Sequence, residues 1–161
     1  AAVLCNGHRA RARGFHVRPQ GHIRMWHANQ LIFHGAVILL VGFLCGAPLG
    51  SAAVRGKEEA VRAWRVAHSS LIMGGVLLLA LASVVSHLQL NPFGLTLLVW
   101  AFIASSYVFA VVLPLAARYG HRGLTSAPPY LNRVIYMGNM VGAGGLLLGA
   151  FVFLWGAYGA L

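Results

Sequence analysis

VAHSSLI, Val66 to Ile72, sets an imidazole and two hydroxyls at the start of an apolar run. The basic stretch RAWR (Arg62 to Arg65) precedes it, and MGGVLLLALA (Met73 to Ala82) follows. Imidazole is a metal ligand and a proton carrier near neutral pH. Within a membrane helix an ionisable group is costly, so it faces protein, water or a cofactor rather than lipid. Gly74 and Gly75 leave space one to two turns deeper than His68. Space beside an imidazole suits a flat cofactor such as haem. The plainer reading is an interfacial or hydrogen-bonded side chain, the commoner fate of a lone histidine at a helix start. His27 and His87 fit that plainer reading well.

The chain that must position these groups has 161 residues, of which 59% are hydrophobic and 9% charged. A soluble domain carries about 25% charged residues. Mean hydropathy is +0.76. The composition is that of an all-α integral membrane protein. Net charge is +10, with Glu58 and Glu59 the only acids. The basic residues sit in the N-terminal segment and in loops, not on one folded face, so nucleic acid is excluded as a partner. They read as membrane-anchoring charge beside a lipid bilayer. Cys5 and Cys45 form no spaced motif, which excludes disulfide and zinc frameworks.

Residues 1–24 hold five Arg, three His and no acid. They lack an apolar core long enough for a signal peptide. We read them as a basic tail, disordered or not native to the protein, ahead of Met25. Residues 25–161 read as a single transmembrane domain. Its four spans lie at about 29–50, 66–88, 94–117 and 133–159, each near the ~20 residues a bilayer core needs. The runs are long and lack alternation, so they are helices. The first and third loops carry Arg55, Lys57, Arg62, Arg65, Arg118, Arg122 and Arg133, and the second loop carries no charge. Positive charge marks the cytoplasmic side. The expected location is therefore multi-pass, in a bacterial-type inner membrane. Glycines repeat at four-residue spacing, at Gly42, Gly46 and Gly50, at Gly138 and Gly142, and at Gly145 and Gly149. Such faces let backbones approach closely. They serve packing within the chain or a homo-oligomer interface. A thin bundle of four short helices points to an oligomer.

Depth sorts the histidines. His68 and His87 are 19 residues apart, about 28 Å along one helix. His34, in the first turns of the first span, is expected on the side of His87. His121, in the third loop, is expected on the side of His68.

LIFHG (Leu31 to Gly35), AWRVAHSSLIMGG (Ala63 to Gly75) and GHRGLT (Gly120 to Thr125) together resemble the styrene oxide isomerase and hydroxylaminobenzene mutase group of small membrane proteins. The resemblance covers essentially Met25 to Leu161. It implies a four-helix protein assembled as a homotrimer that holds haem b near subunit interfaces. One axial histidine binds the iron, and it falls on His68. In the isomerases ferric iron acts as a Lewis acid on an epoxide oxygen. The ring opens and a hydride shifts, giving an aldehyde without net redox change. The mutases rearrange arylhydroxylamines to aminophenols.

The resemblance leads to a haem-b-dependent isomerase or mutase acting on a small apolar substrate. His68 is the metal ligand, and Gly74 and Gly75 make room for the cofactor. Tyr107, Ser105 and Ser69 are the candidate catalytic polar groups. His121 and Arg122 are candidate partners of the haem propionates, since Arg pairs well with carboxylates. The chain departs from the isomerases at four site positions. Gly74 stands where they carry Asn, Ser105 where they carry Asp, Leu113 where they carry Tyr, and Tyr107 where they carry Trp. Those departures keep open an alternative, a non-catalytic membrane haem protein or accessory subunit of a larger complex. In it, His34 with His87 or His68 with His121 would give a six-coordinate iron. A cofactor-free scaffold is a third reading. A transporter is disfavoured by spans without acids or inverted repeats. A hydrolase is disfavoured by the lack of an activated nucleophile.

Overall fold

The computed structural model describes residues 19–121, 123–126 and 128–161, the side chains of residues 19 and 20 excepted. Five helices follow in order: α1 Pro19–Leu44, α2 Gly46–Val54, α3 Glu58–Val84, α4 Pro92–Tyr119 and α5 Tyr130–Tyr158. The protein is all-helical. Four stretches are long and apolar enough to cross a membrane: Gly21–Val54 (α1 with α2), α3, α4 and α5. These match the four expected spans, but two begin well ahead of the apolar runs.

The early starts have local causes. Pro19 opens α1, a position where a missing N–H costs nothing. The Arg24 guanidinium then donates to the Ser86 and Leu88 carbonyls at 2.7 and 2.9 Å, tying α1 to the end of α3. At α3, Glu58 and Glu59 occupy the first turn, where negative charge complements the helix dipole. The turn into α4 is built by NPFG. Asn91 Oδ1 accepts from the Gly94 N–H at 2.7 Å, with Pro92 at the first helical position.

One span is broken. Pro48 has no N–H, and its ring crowds the carbonyl four residues back, that of Leu44. The first span accordingly divides at Cys45 into α1 and α2. Pro114, by contrast, lies inside α4 without ending it, as membrane helices tolerate.

Helices α1, α3 and α4 pack on one another, with α2 on α3; of the described helices, α5 touches only α4. The core holds Leu31 and Ile38 of α1, Leu71 and Leu78 of α3, and Leu98 and Ile103 of α4. Gly42 and Gly46 pack on α3, Gly50 has nothing within 4 Å, and the repeats on α5 pack on α4. A Cβ at Gly142 would lie 2.8 Å from the Phe109 ring, and one at Gly149 would lie 2.7 Å from the Phe102 ring. Gly138 meets Val112, and Gly145 meets Ser105. Gly144, on the other side of α5, has nothing within 4 Å. The stripe on α5 thus seats the aromatic and small side chains of α4.

Candidate functional site

His68 lies on α3 beside the break in the first span. Its Nδ1–H donates to the Gly42 carbonyl at 2.8 Å. A Cβ at Gly46, just past the break, would be in contact with the ring at 3.4 Å. The carbonyl fixes the tautomer. Nε2 is left with its lone pair, and no group among the described residues takes it. Metal-binding histidines commonly spend the other ring N–H in this way, on a carbonyl or carboxylate that orients the ring. Among the described residues no three His, Cys, Asp or Glu side chains converge on one point. His68 Nε2 is a single open nitrogen.

The remaining candidates divide. Gly74 is open, with only Ile38 Cγ2 at 3.9 Å from an added Cβ. Gly75 packs against α1: a Cβ there would lie 2.6 Å from Leu39 Cγ and 2.9 Å from the Gly35 carbonyl oxygen. The Ser69 hydroxyl donates back to the Arg65 carbonyl at 2.8 Å, a bond that helix serines commonly make. Ser105 is buried against Gly145 of α5. Tyr107 is on α4, half-exposed, and its partner is His34 at 2.8 Å. His121 follows the helix end at Gly120, its backbone N–H donating to the Ala116 carbonyl at 3.2 Å. Arg122 lies outside the described residues. The structure therefore brings together His68, Gly42 and Gly46, and separately Tyr107 and His34. It does not bring Ser69, Ser105 and Tyr107 to one point.

His34 is deeper than the sequence suggested. It lies ten residues beyond Arg24, which holds the Ser86 and Leu88 carbonyls on either side of His87. That places it about 15 Å further along the helix axis. The pair His34 and His87 is therefore not formed; the His87 ring instead approaches the Ser86 hydroxyl at 3.4 Å. The difference arises because helix α1 starts at Pro19, well before the apolar run.

The sequence reading missed two groups. One is the Gly42 carbonyl, which no residue type marks; Pro48 signals only the break beyond it, through the Leu44 carbonyl. The other is Gln30, whose i,i+4 spacing to His34 puts both on one face.

GHRGLT has a structural basis. Gly123 has φ +57, and a Cβ there would collide with Ile135. Its N–H donates to Asn132 Oδ1 at 3.1 Å, and its carbonyl accepts from Asn139 Nδ2 at 3.3 Å. The loop is thus pinned to α5. At the other loop of the same end, an open cleft of about 370 Å³ is lined by Ala53, Gly56, Glu58, Val61, Arg62 and Arg65. Its two arginines lie one and two turns before His68.

No curated protein and no solved structure matches the chain. The family model described as styrene oxide isomerase matches residues 27–158, from His27 in the first span to the end of α5. With all four apolar stretches inside that match but for the start of the first, this chain belongs to the styrene oxide isomerase family.

Proposed function

We propose that the chain is a haem-b-dependent membrane isomerase or mutase that rearranges a small apolar substrate, an epoxide or an arylhydroxylamine. His68 is the axial ligand in this reading. The observation that carries it is the bond from His68 Nδ1–H to the Gly42 carbonyl, which leaves Nε2 open. When bound, ferric haem supplies a Lewis acid that polarises a substrate oxygen, so the rearrangement needs no net electron transfer.

The chain's own residues do the rest. The Gly42 carbonyl holds the His68 ring in one tautomer and strengthens its donor nitrogen. Gly74 keeps a side chain out of the space beside α3. Exposed Val66 and Met73 present apolar surface on the same helix, and a dry pocket strengthens every electrostatic effect inside it. His121 and Arg122 in the third loop are the proposed carboxylate partners. Of the three candidate catalytic hydroxyls, Tyr107 is the one neither turned back on its own helix nor packed on α5. The proposed assembly is a homotrimer in an inner membrane, with the first and third loops cytoplasmic.

A second reading, a non-catalytic haem protein or accessory subunit, is favoured by one observation. Ser69 and Ser105 direct their hydroxyls elsewhere, so the His68 face has few polar groups. Absorption spectra and a pyridine haemochrome assay on detergent-purified chain, beside His68→Ala, test both. A Soret band lost in the variant supports His68 as ligand. A high-spin ferric spectrum with turnover of an aryl epoxide or an arylhydroxylamine supports the isomerase. A low-spin spectrum indifferent to both supports the second reading, and no haem in either sample sinks both.

A further inference from the structure

Among the described residues, three charged side chains of α3 line one open cleft without a hydrogen bond or ion pair: Glu58, Arg62 and Arg65. With Val61 they stand at i, i+3, i+4 and i+7, on one face of the helix. Ala53 of α2 and Gly56 of the turn complete the lining. Gly56 has φ +65, and nothing lies within 4 Å of where a Cβ would stand. The cleft measures about 370 Å³, within the ~300–1,000 Å³ range of small-molecule sites.

Depth says what reaches it. Helix α3 has 27 residues, about 40 Å at the helical rise, against ~30 Å for a hydrocarbon core. From Val66 to Val84 it carries no Asp, Glu, Lys or Arg, so that stretch fills the core. The excess is the charged start, Glu58 to Arg65, which stands at the level of the lipid headgroups. Along the axis Glu58 is outermost. Arg62 is four residues deeper and Arg65 seven, about 6 and 10 Å. A carboxylate therefore lies on the water side of two guanidiniums.

We propose that this cleft binds the headgroup of an aminophospholipid, in which a phosphodiester is followed by a primary ammonium at the water-facing end. Arg62 and Arg65 take the phosphate oxygens, which suit the guanidinium fork. Glu58 accepts from the ammonium, which has three hydrogens to donate. Arg55 and Lys57 do not line the cleft, so the ammonium meets the carboxylate there. Phosphatidylethanolamine fits both ends. Phosphatidylglycerol brings no cation to Glu58, and phosphatidylcholine brings a cation without an N–H. The inference stands apart from the haem reading.

The test is native mass spectrometry of the detergent-purified chain, titrated with these three lipids on identical acyl chains. The expected Kd of the first adduct is about fivefold lower for phosphatidylethanolamine than for either other lipid, the scale of one exposed ion pair. Glu58→Gln removes the advantage over phosphatidylcholine and brings phosphatidylglycerol level or ahead. Arg62→Gln with Arg65→Gln weakens all three lipids. His68→Ala leaves the order unchanged, so loss of haem and loss of this site are read separately. A parent chain that does not favour phosphatidylethanolamine, or a preference that survives Glu58→Gln, overturns the proposal. So does displacement of the lipid by an equal concentration of soluble phosphoethanolamine, which would make the ligand a free phosphate ester. A preference that vanishes when haem is added and returns in His68→Ala also overturns it, because the arginines would then serve the haem carboxylates. If the variants lose helix content, the parent chain is titrated with mono- and dimethylated phosphatidylethanolamine. Affinity should fall with each N–H removed, and equal affinity overturns the proposal.

Discussion

His68 and His34 both lie on apolar helices, and both make a 2.8 Å bond through Nδ1. The bonds run in opposite senses. At His68 the partner is a backbone carbonyl, so Nδ1 must donate and Nε2 keeps its lone pair. At His34 the partners are a hydroxyl and an amide oxygen, so both nitrogens are engaged. One ring can take a metal without losing a bond, and the other cannot. What surrounds an imidazole, not the imidazole itself, decides which chemistry it can do.

The largest expected effect breaks this comparison directly. His68→Ala should weaken haem binding by two orders of magnitude or more, while His34→Ala leaves haem content near that of the parent chain. Pyridine haemochrome content per chain measures both. Equal loss in the two variants would mean that the open Nε2 of His68 has no special role.

The next effect concerns stability. Leucine at Gly149 must displace the Phe102 ring, and at Gly142 the Phe109 ring. Overpacking of this kind costs about 1–3 kcal/mol. Gly144→Leu points into open space and should stay within ~0.5 kcal/mol. Unfolding in mixed micelles by denaturing detergent ranks the three. A Gly144 variant as damaged as the others would place that face against a partner.

A third effect isolates the break beside His68. Pro48→Ala restores an N–H that can bond the Leu44 carbonyl and straighten the span. The orientation of the Gly42 carbonyl should then change, with about a tenfold loss in haem affinity, the range for groups that orient a metal ligand. A variant with unchanged haem affinity would remove the break from the argument.

Hydropathy made the four spans legible, because the apolar runs are long and the loops between them charged or turn-rich. It did not locate the helix ends. Pro19, Arg24, Glu58 and Glu59 extend α1 and α3 through polar sequence by capping, dipole complementation and a guanidinium held by two carbonyls. Depth read from the apolar onset therefore placed His34 near His87, and the helix start corrects that by about 15 Å. The family was legible from LIFHG, AWRVAHSSLIMGG and GHRGLT together. The partners of the key side chains were not. A backbone carbonyl has no residue signature, and the contact from Tyr107 to His34 joins positions 73 apart in sequence.

The smallest effect sharpens the difference between a hydroxyl placed for chemistry and one spent on its own helix. Ser69 follows His68 directly, and its hydroxyl donates to the Arg65 carbonyl at 2.8 Å. That carbonyl already sits in a helix, so the extra bond is worth a few tenths of a kcal/mol at an exposed position. Ser69→Ala should therefore change stability by less than ~0.5 kcal/mol and leave the Soret maximum where it is. Tyr107→Phe removes a similar single hydroxyl but one that joins two helices through His34 at 2.8 Å, and it should cost about 1 kcal/mol of stability. A Soret shift in Ser69→Ala would mean that the serine leaves its helix bond when haem is present, and would move Ser69 from the α3 backbone to the His68 site.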